Sequence, residues 1–395
     1  MQNKMTNLPQ GWEVKKLGEI GEIVTGSTPS KSNLDFYGKD YPFFKPSDFE
    51  QGYFLENAGD NLSKLGFDKA RQLPPKTILV VCIGSLGKVA LTRVIGSCNQ
   101  QINAIIPHKN IISEYIYYYC ISSKFQSILF SKAPQTTLAI FNKTEFSKLE
   151  IIYPKDTKEQ ERIVGILDES FAKIDESIKI LEQDLLNLDE LMQSALQKAF
   201  NPLKDNAKEN YKLPQSWEWK SLEEISENIS AGGDKPKNCT ESKTAKNQIP
   251  VYANGVNNNG LVGYTDKATI IKPSLTISAR GTIGFVCIRK EPYFPIVRLI
   301  SLIPCENILC LHYLYFCLNF FIAKGEGSSI PQLTIPKFKS LQIPLPPLKE
   351  QEQIAEHLDF VFEKAKALKE LYTKELKDYE ELKQSLLNKA FKGEL

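Results

Sequence analysis

The strings in this chain that could do chemistry are few, and each falls short of the pattern its chemistry requires. Gly84-Ser85-Leu86-Gly87-Lys88-Val89 has the glycines and lysine of a phosphate loop, but its spacing is not GxxxxGK(S/T), and a β-rich run follows it rather than a helix. Its counterpart 197 residues on, Gly281-Thr282-Ile283-Gly284, has Phe285 where Lys88 stands, so both strings read as turns. Asn201-Pro202-Leu203 comes nearest to the (Asn/Asp)-Pro-Pro-aromatic loop of a base-flipping methyltransferase and lacks its second proline and aromatic. Cys305, Cys310, His312 and Cys317 could hold a metal, yet Cys317 aligns with Cys120, which has no comparable neighbours. The shared cysteine reads as part of a packed helix face, because a free cysteine behaves as a small apolar residue. The three histidines lie in no Ser/His/Asp setting, and Glu145-Phe146-Ser147-Lys148 alone is a weak nuclease signal. No catalytic residue, metal or cofactor is expected of this chain.

Binding is the chemistry that remains. The polar loops supply Lys31, Ser32, Lys45, Ser47, Ser85, Lys88, Asn99, Gln100 and Gln101 in the first half. In the second half they supply Lys235, Lys237, Asn238, Asn254, Asn257, Asn258, Arg280, Thr282, Arg298 and Gln332. Asn and Gln pair bidentately with adenine, Arg and Lys with guanine, and hydroxyls and ammonium groups with phosphate. Taken singly, each residue is better explained by solvation, so the collective bias carries the reading. Arg280 and Arg298, set among apolar strand residues, are the first choices in the second half.

Two duplicated frameworks must position these loops. In each half, β-rich runs flank the glycine turn: Thr77–Ile83 and Val89–Ile95, then Leu275–Ala279 and Phe285–Ile288. A helical segment follows, over Ser113–Phe130 and Asn307–Ala323, and a Pro-punctuated strand closes each half, over Leu149–Pro154 and Leu341–Pro347. Each half then runs into a long helix. In residues 159–200 the positions Phe171, Ile174, Ile178, Leu181, Leu185, Leu188, Met192, Ala195 and Ala199 alternate spacings of three and four, which is a heptad seam. Glu350–Phe391 repeats that stretch at an offset of 191, from Glu159-Gln160/Glu350-Gln351 to Lys198-Ala199-Phe200/Lys389-Ala390-Phe391. An apolar seam needs a partner, and the chain supplies its own. The fold class expected is α+β: two mixed, mostly-β domains and two long helices in an antiparallel coiled coil, with an internal pseudo-twofold repeat. The divisions are 1–158 (first domain), 159–200 (helix), 201–212 (linker), 213–349 (second domain) and 350–395 (helix).

Charge is segregated along this plan. The overall net charge is +2, but residues 159–200 carry −6 and 350–391 carry −3, leaving +11 on the rest. Acidic helices beside basic globular parts suit a polyanion-binding face confined to the latter. The N-terminal stretch has no secretory apolar region, Cys310–Ala323 is too short to span a bilayer, and the eight cysteines form no CxxC pair. A reducing, cytoplasmic setting is expected.

At this point the chain resembles a known family, the specificity (S) subunits of type I restriction–modification systems. The resemblance rests on Gly11-Trp12…Leu17-Gly18-Glu19-Ile20 and Trp217…Leu222-Glu223-Glu224-Ile225, on Gly-Ser/Thr-x-Gly at 84–87 and 281–284, on Pro344-Leu345-Pro346-Pro347-Leu348-x-Glu350-Gln351, and on the two long helices. The first half departs from it, with Ile151-Ile152-Tyr153-Pro154 leading into the helix rather than a double-Pro segment, and Ile83 where the second half has Arg280. The resemblance implies that each globular half is a target-recognition domain reading one part of an asymmetric, bipartite sequence in double-stranded DNA. It further implies that the coiled coil spaces these domains and docks two methyltransferase subunits, with restriction subunits added outside, and that the chain is itself non-catalytic. The acids Glu182, Asp184, Asp189 and Glu190 are the expected docking surface on the helices. The alternatives are a part of a bifunctional restriction–methylation enzyme and a coiled-coil scaffold without a DNA role.

Overall fold

The structure is a computed structural model and describes residues 8–132, 140–204, 214, 216–322, 325–326 and 332–395. It divides into two compact units, each made of one globular half and parts of both long helices: residues 1–181 with 374–395, and residues 182–373.

The two units repeat one topology. In the first, Trp12–Lys16 pairs antiparallel with Glu150–Pro154, tying the start of the half to its end. A five-stranded sheet runs Gly21–Thr25, Ile102–Pro107, Ile78–Val81, Val89–Thr92, Phe54–Leu55. In the second unit Glu218–Ser221 pairs with Gln342–Leu345, and the main sheet runs Ser226–Ala231, Ile300–Pro304, Ser274–Ile277, Val286–Arg289. The order of the four common strands is the same, and the fifth belongs to the first unit alone among the described residues. Ile78–Val81 and Ser274–Ile277 are wholly buried, as expected for the central strands of sheets covered on both faces.

The helical segments differ from the sequence expectation. Ser113–Phe130 is two helices, Ser113–Ile121 and Ser123–Lys132. Ser122 is extended between them, and its hydroxyl donates to the Tyr119 carbonyl at 2.6 Å and accepts the Phe125 amide at 3.3 Å. Serine competes with the helix ladder in this way wherever its side chain can replace a main-chain bond. Its counterpart in the second unit is Leu311–Phe321, and Ala323 lies outside the described residues.

The first long helix spans Thr157–Lys204 and the second Leu348–Ala390. The first thus starts two residues before the expected 159 and runs four into the expected linker, whose remainder lies outside the described residues. Within the seam Ile174, Leu181 and Leu188 are buried and the other six members half-buried. The helices are antiparallel in each unit. In the first, Asp175 pairs with Lys383 at 2.6 Å, and Leu387, Ala390 and Phe391 join the core of the opening half. In the second, Asp189 pairs with Lys369, and Leu196 and Phe200 join the core with Ala355 and Leu358. Each helix is therefore cored at both ends by a globular half and, between, by its partner's seam.

One polar residue joins each half to its own helix. Gln160 is fully buried; its Oε1 accepts the Ile112 amide at 2.9 Å, and its Nε2 donates to the carbonyls of Pro154 at 2.9 Å and Asn110 at 3.4 Å. Gln351, 191 residues later and equally buried, accepts the Cys310 amide at 2.9 Å and donates to Pro346 at 2.8 Å and Ile308 at 2.9 Å. Tyr115 and Tyr313 repeat a second such tie, donating to the carbonyls of Ile152 at 2.9 Å and Pro344 at 2.8 Å. Cys120 and Cys317 are buried in the helices that carry these tyrosines, and burial pushes both thiols well above their ordinary value.

Candidate nucleic-acid interface

In each unit two turns between sheet strands carry part of the predicted polar set. Gly84-Ser85-Leu86-Gly87 and Gly281-Thr282-Ile283-Gly284 close in the same way: the Gly87 amide donates to Val81 O at 2.9 Å, and the Gly284 amide to Ser278 O at 3.0 Å. All four glycines have φ between +71° and +89°, a region where a side chain would be strained, and this accounts for the motif without any phosphate-binding role. Ser85 and Lys88 stand exposed on the first turn, and Lys88 is ion-paired with Glu50, whose carboxyl it holds below the ordinary value. Arg280 is exposed on the second turn, while the Thr282 hydroxyl is buried without a partner among the described residues.

A second turn lies beside the first in each unit. In the opening half it is Asn99-Gln100-Gln101. The Asn99 amide nitrogen donates to the Phe44 carbonyl, Asn99 Nδ2 to Gln101 Oε1 at 2.8 Å, and the Cys82 amide to Gln101 O at 2.7 Å. Asn99 is buried and serves this turn, Gln100 is exposed and accepts the Thr28 hydroxyl, and Gln101 reaches the Ile83 carbonyl at 3.5 Å. In the closing half the same place is taken by Ile296-Val297-Arg298, with the Ile296 amide on the Tyr252 carbonyl at 2.8 Å. Gly26 and Gly232 press on these turns alike: a Cβ would meet Asn99 O at 2.1 Å in one and Ile296 N at 2.6 Å in the other. The Gly26 amide bonds Ile102 O at 3.0 Å and the Gly232 amide bonds Leu299 O at 2.8 Å. Gln101 and Arg298 thus occupy one structural position, as do Ile83 and Arg280.

The turns differ in backbone. Val297 and Arg298 have φ of 52° and 59°. A left-handed conformation costs a residue with a Cβ about 1–2 kcal/mol, and the branched Cβ of valine makes it rarer still. Strain of this kind persists where the surroundings over-determine it. Asn258 and Asn259 are exposed and left-handed too, at 47° and 52°, in the Asn257–Gly260 turn, a conformation asparagine tolerates. Arg289 escaped the sequence reading. It is buried, its guanidinium lies 3.6 Å from the centre of the Tyr252 ring, and it donates to Thr276 Oγ1 at 3.0 Å and to the Asn259 carbonyl at 2.5 Å. An arginine in a strand that otherwise reads as apolar was the available signal.

The remaining predicted residues fall into two groups. Lys31, Ser32, Ser47, Lys235, Lys237 and Asn257 are exposed. Lys45 pairs with Asp60, and Asn238 is tied to Asp266 at 2.6 Å and to Thr265 at 3.0 Å. Arg298 and Gln332 line one cavity of about 410 Å3 with Gly232 and Thr334. Lys31, Lys45 and Ser47, and in the other half Lys235, Lys237 and Asn238, belong to loops other than the two turns. On the helices, Glu182 and Glu190 are exposed, Asp184 is half-buried beside Asn187, and Asp189 is taken up by Lys369.

Residues 9–185 and 214–377 each match the family described as type I restriction modification DNA specificity domain. The HindI specificity subunit of Haemophilus influenzae is 37% identical over 188 residues, which are 45% of this chain and 40% of that protein. The MjaIX specificity subunit of Methanocaldococcus jannaschii is 24% identical over 395 aligned residues, covering 90% of this chain and 88% of that one. Among solved structures, a chain from a study of complex assembly and conformational transition of the type I R-M system superposes with a TM-score of 0.83 at 19% identity, over 99% of this chain and 100% of that one. The HsdS subunit of Thermoanaerobacter tengcongensis superposes at 0.62 with 20% identity, over the full length of both. These two likenesses establish a shared fold. The chain belongs to the family of type I restriction–modification DNA specificity subunits and carries two copies of its domain.

Proposed function

We propose that the two globular halves, divided at 1–158 and 213–349, each read one part of an asymmetric, bipartite target in double-stranded DNA. One observation carries this reading: a single frame of paired turns occurs twice with different residues at its tip, Ile83 and Gln101 in one copy, Arg280 and Arg298 in the other. A duplicated frame supplies two half-site readers, and different side chains supply different half-sequences. The coiled coil sets the distance between half-sites and docks two methyltransferase subunits, with restriction subunits joining the full complex. Exposed Glu182 and Glu190, with Asp184 beside them, support an acidic docking face, to which Asp189 contributes less because Lys369 neutralises it. In this reading the chain makes and breaks no bonds itself; the chemistry belongs to its partners. A cytoplasmic location fits eight free thiols, of which burial pushes Cys82 and Cys98 up to about 12.

The test is the salt dependence of the complex with its methyltransferase. A protein that neutralises six to ten phosphates loses about 10³- to 10⁵-fold in affinity between about 50 and 200 mM salt. A steep fall of this order is expected for the specific site. A flat response would remove phosphate tracking by the basic halves.

A further inference from the structure

Arg280 and Arg298 rise from neighbouring turns that one side chain holds together. The Asn254 amide donates from Nδ2 to the Val297 carbonyl at 2.6 Å and accepts at Oδ1 from the Ala279 amide at 2.8 Å. Ala279 precedes Arg280, and Val297 precedes Arg298, so each turn is gripped one residue before its arginine. In the first half the amide equivalent to that of Ala279, on Cys82, bonds the main-chain carbonyl of Gln101 directly. In the second half the left-handed backbone at Val297 and Arg298 leaves that bond unmade, and the Asn254 side chain takes the place of the missing carbonyl. Pro46, which has no donor to offer, stands at the corresponding position in the first half. The grip is reinforced from the other side: the Val297 amide bonds Gly233 O at 2.8 Å, the Arg298 amide bonds Gly232 O at 2.9 Å, and the Leu333 amide bonds Ala279 O at 3.2 Å.

Both arginines are exposed, and neither guanidinium has a partner among the described residues. Among the other cations of the predicted loops, Lys45 and Lys88 are taken up by Asp60 and Glu50, while Lys31, Lys235 and Lys237 are exposed. A charge that only tracks phosphate needs no fixed backbone beneath it, since an ammonium on a flexible stem suffices. A rigid, strained turn beneath an unpaired planar fork suits bidentate recognition, which a guanidinium makes with a guanine edge as well as with a phosphate, and a fixed direction favours the base edge.

We propose that Arg280 and Arg298 are specificity-determining residues that read guanine O6 and N7 in the major groove, and that Asn254 is a positioning residue holding their turns rather than a base contact. This rests on the reading of the second half as a DNA reader, and it assigns the bases: guanine enters the half-sequence read by the second half through these two side chains. The first half, with Ile83 and Gln101 in the same places, reads its half without either contact.

The test uses the full chain in complex with its methyltransferase, the methylated positions being mapped across genomic DNA. Arg280→Lys and Arg298→Lys keep charge but lose the fork. Each is expected to relax one guanine of one half-sequence by about 10- to 100-fold while the other half-sequence is unchanged. Asn254→Ala is expected to relax the same guanines although its own side chain touches no DNA, and a thermal melt of that variant shows whether the unit still folds. Lysine variants that keep the wild-type motif and affinity would overturn the role given to the guanidinium forks, and a uniform loss of affinity across all sequences, the mark of a phosphate contact, would overturn the guanine assignment. Relaxation in the lysine variants with none in a folded Asn254→Ala protein would overturn the positioning role. A wild-type complex that shows no sequence preference at all would instead sink the DNA-reading proposal beneath both.

Discussion

Inserting one matched heptad into both long helices, after Leu181 in the first and before Lys374 in the second, is expected to reduce methylation at the native site by about a hundredfold or more. Seven residues lengthen each helix by about 10 Å and keep the seam in register. Along B-DNA that equals roughly three base pairs, which also rotate the second half-site by about 100°. Untwisting or bending the duplex to absorb the difference costs a few kcal/mol, and this sets the size of the loss. Sites that survive keep both half-sequences and gain a longer gap. An unchanged gap in the methylation map would show that something other than these helices spaces the half-sites.

The second large effect concerns the buried glutamines. Gln160→Ala strips the partner from the Ile112 amide and from the carbonyls of Pro154 and Asn110, where the first half meets its helix. An unsatisfied buried polar group costs about 1–3 kcal/mol, so a loss of about 3 kcal/mol or more is expected for the first unit. Gln351→Ala removes the matching bonds in the second unit and is expected to cost the same there. Urea unfolding followed by hydrogen exchange, which localises the loss, checks both. Substitutions that shift neither unit would show that water or a local rearrangement replaces these bonds.

Much of this organisation was legible in the sequence because it depends on period and repetition. The heptad seam needs only apolar residues at fixed spacing, and Leu181 and Leu188 are buried where the spacing puts them. The glycine turns were equally readable, since a positive φ at Gly84, Gly87, Gly281 and Gly284 constrains residue type directly. Gln160 and Gln351 were visible as matching letters, but nothing local distinguishes a buried polar anchor from a solvated helix residue. The break at Ser122 was hidden for a related reason, because its hydroxyl competes with the helix only once the Tyr119 carbonyl lies within reach. Asn254 illustrates the limit most clearly. Its composition suits adenine, yet both ends of its amide are consumed by Val297 and Ala279, residues 43 and 25 positions away. Side-chain type states what a group can bind, and only the fold states what it has already bound.

The most direct test of a two-reader specificity subunit is an exchange of residues 213–345 for the corresponding segment of a relative with a different target, read as a genome-wide methylation map. Independent readers predict that one half of the methylated sequence changes and the other half and the gap stay as they were. A change in both halves, or in neither, would contradict the assignment of one half-sequence to each globular half.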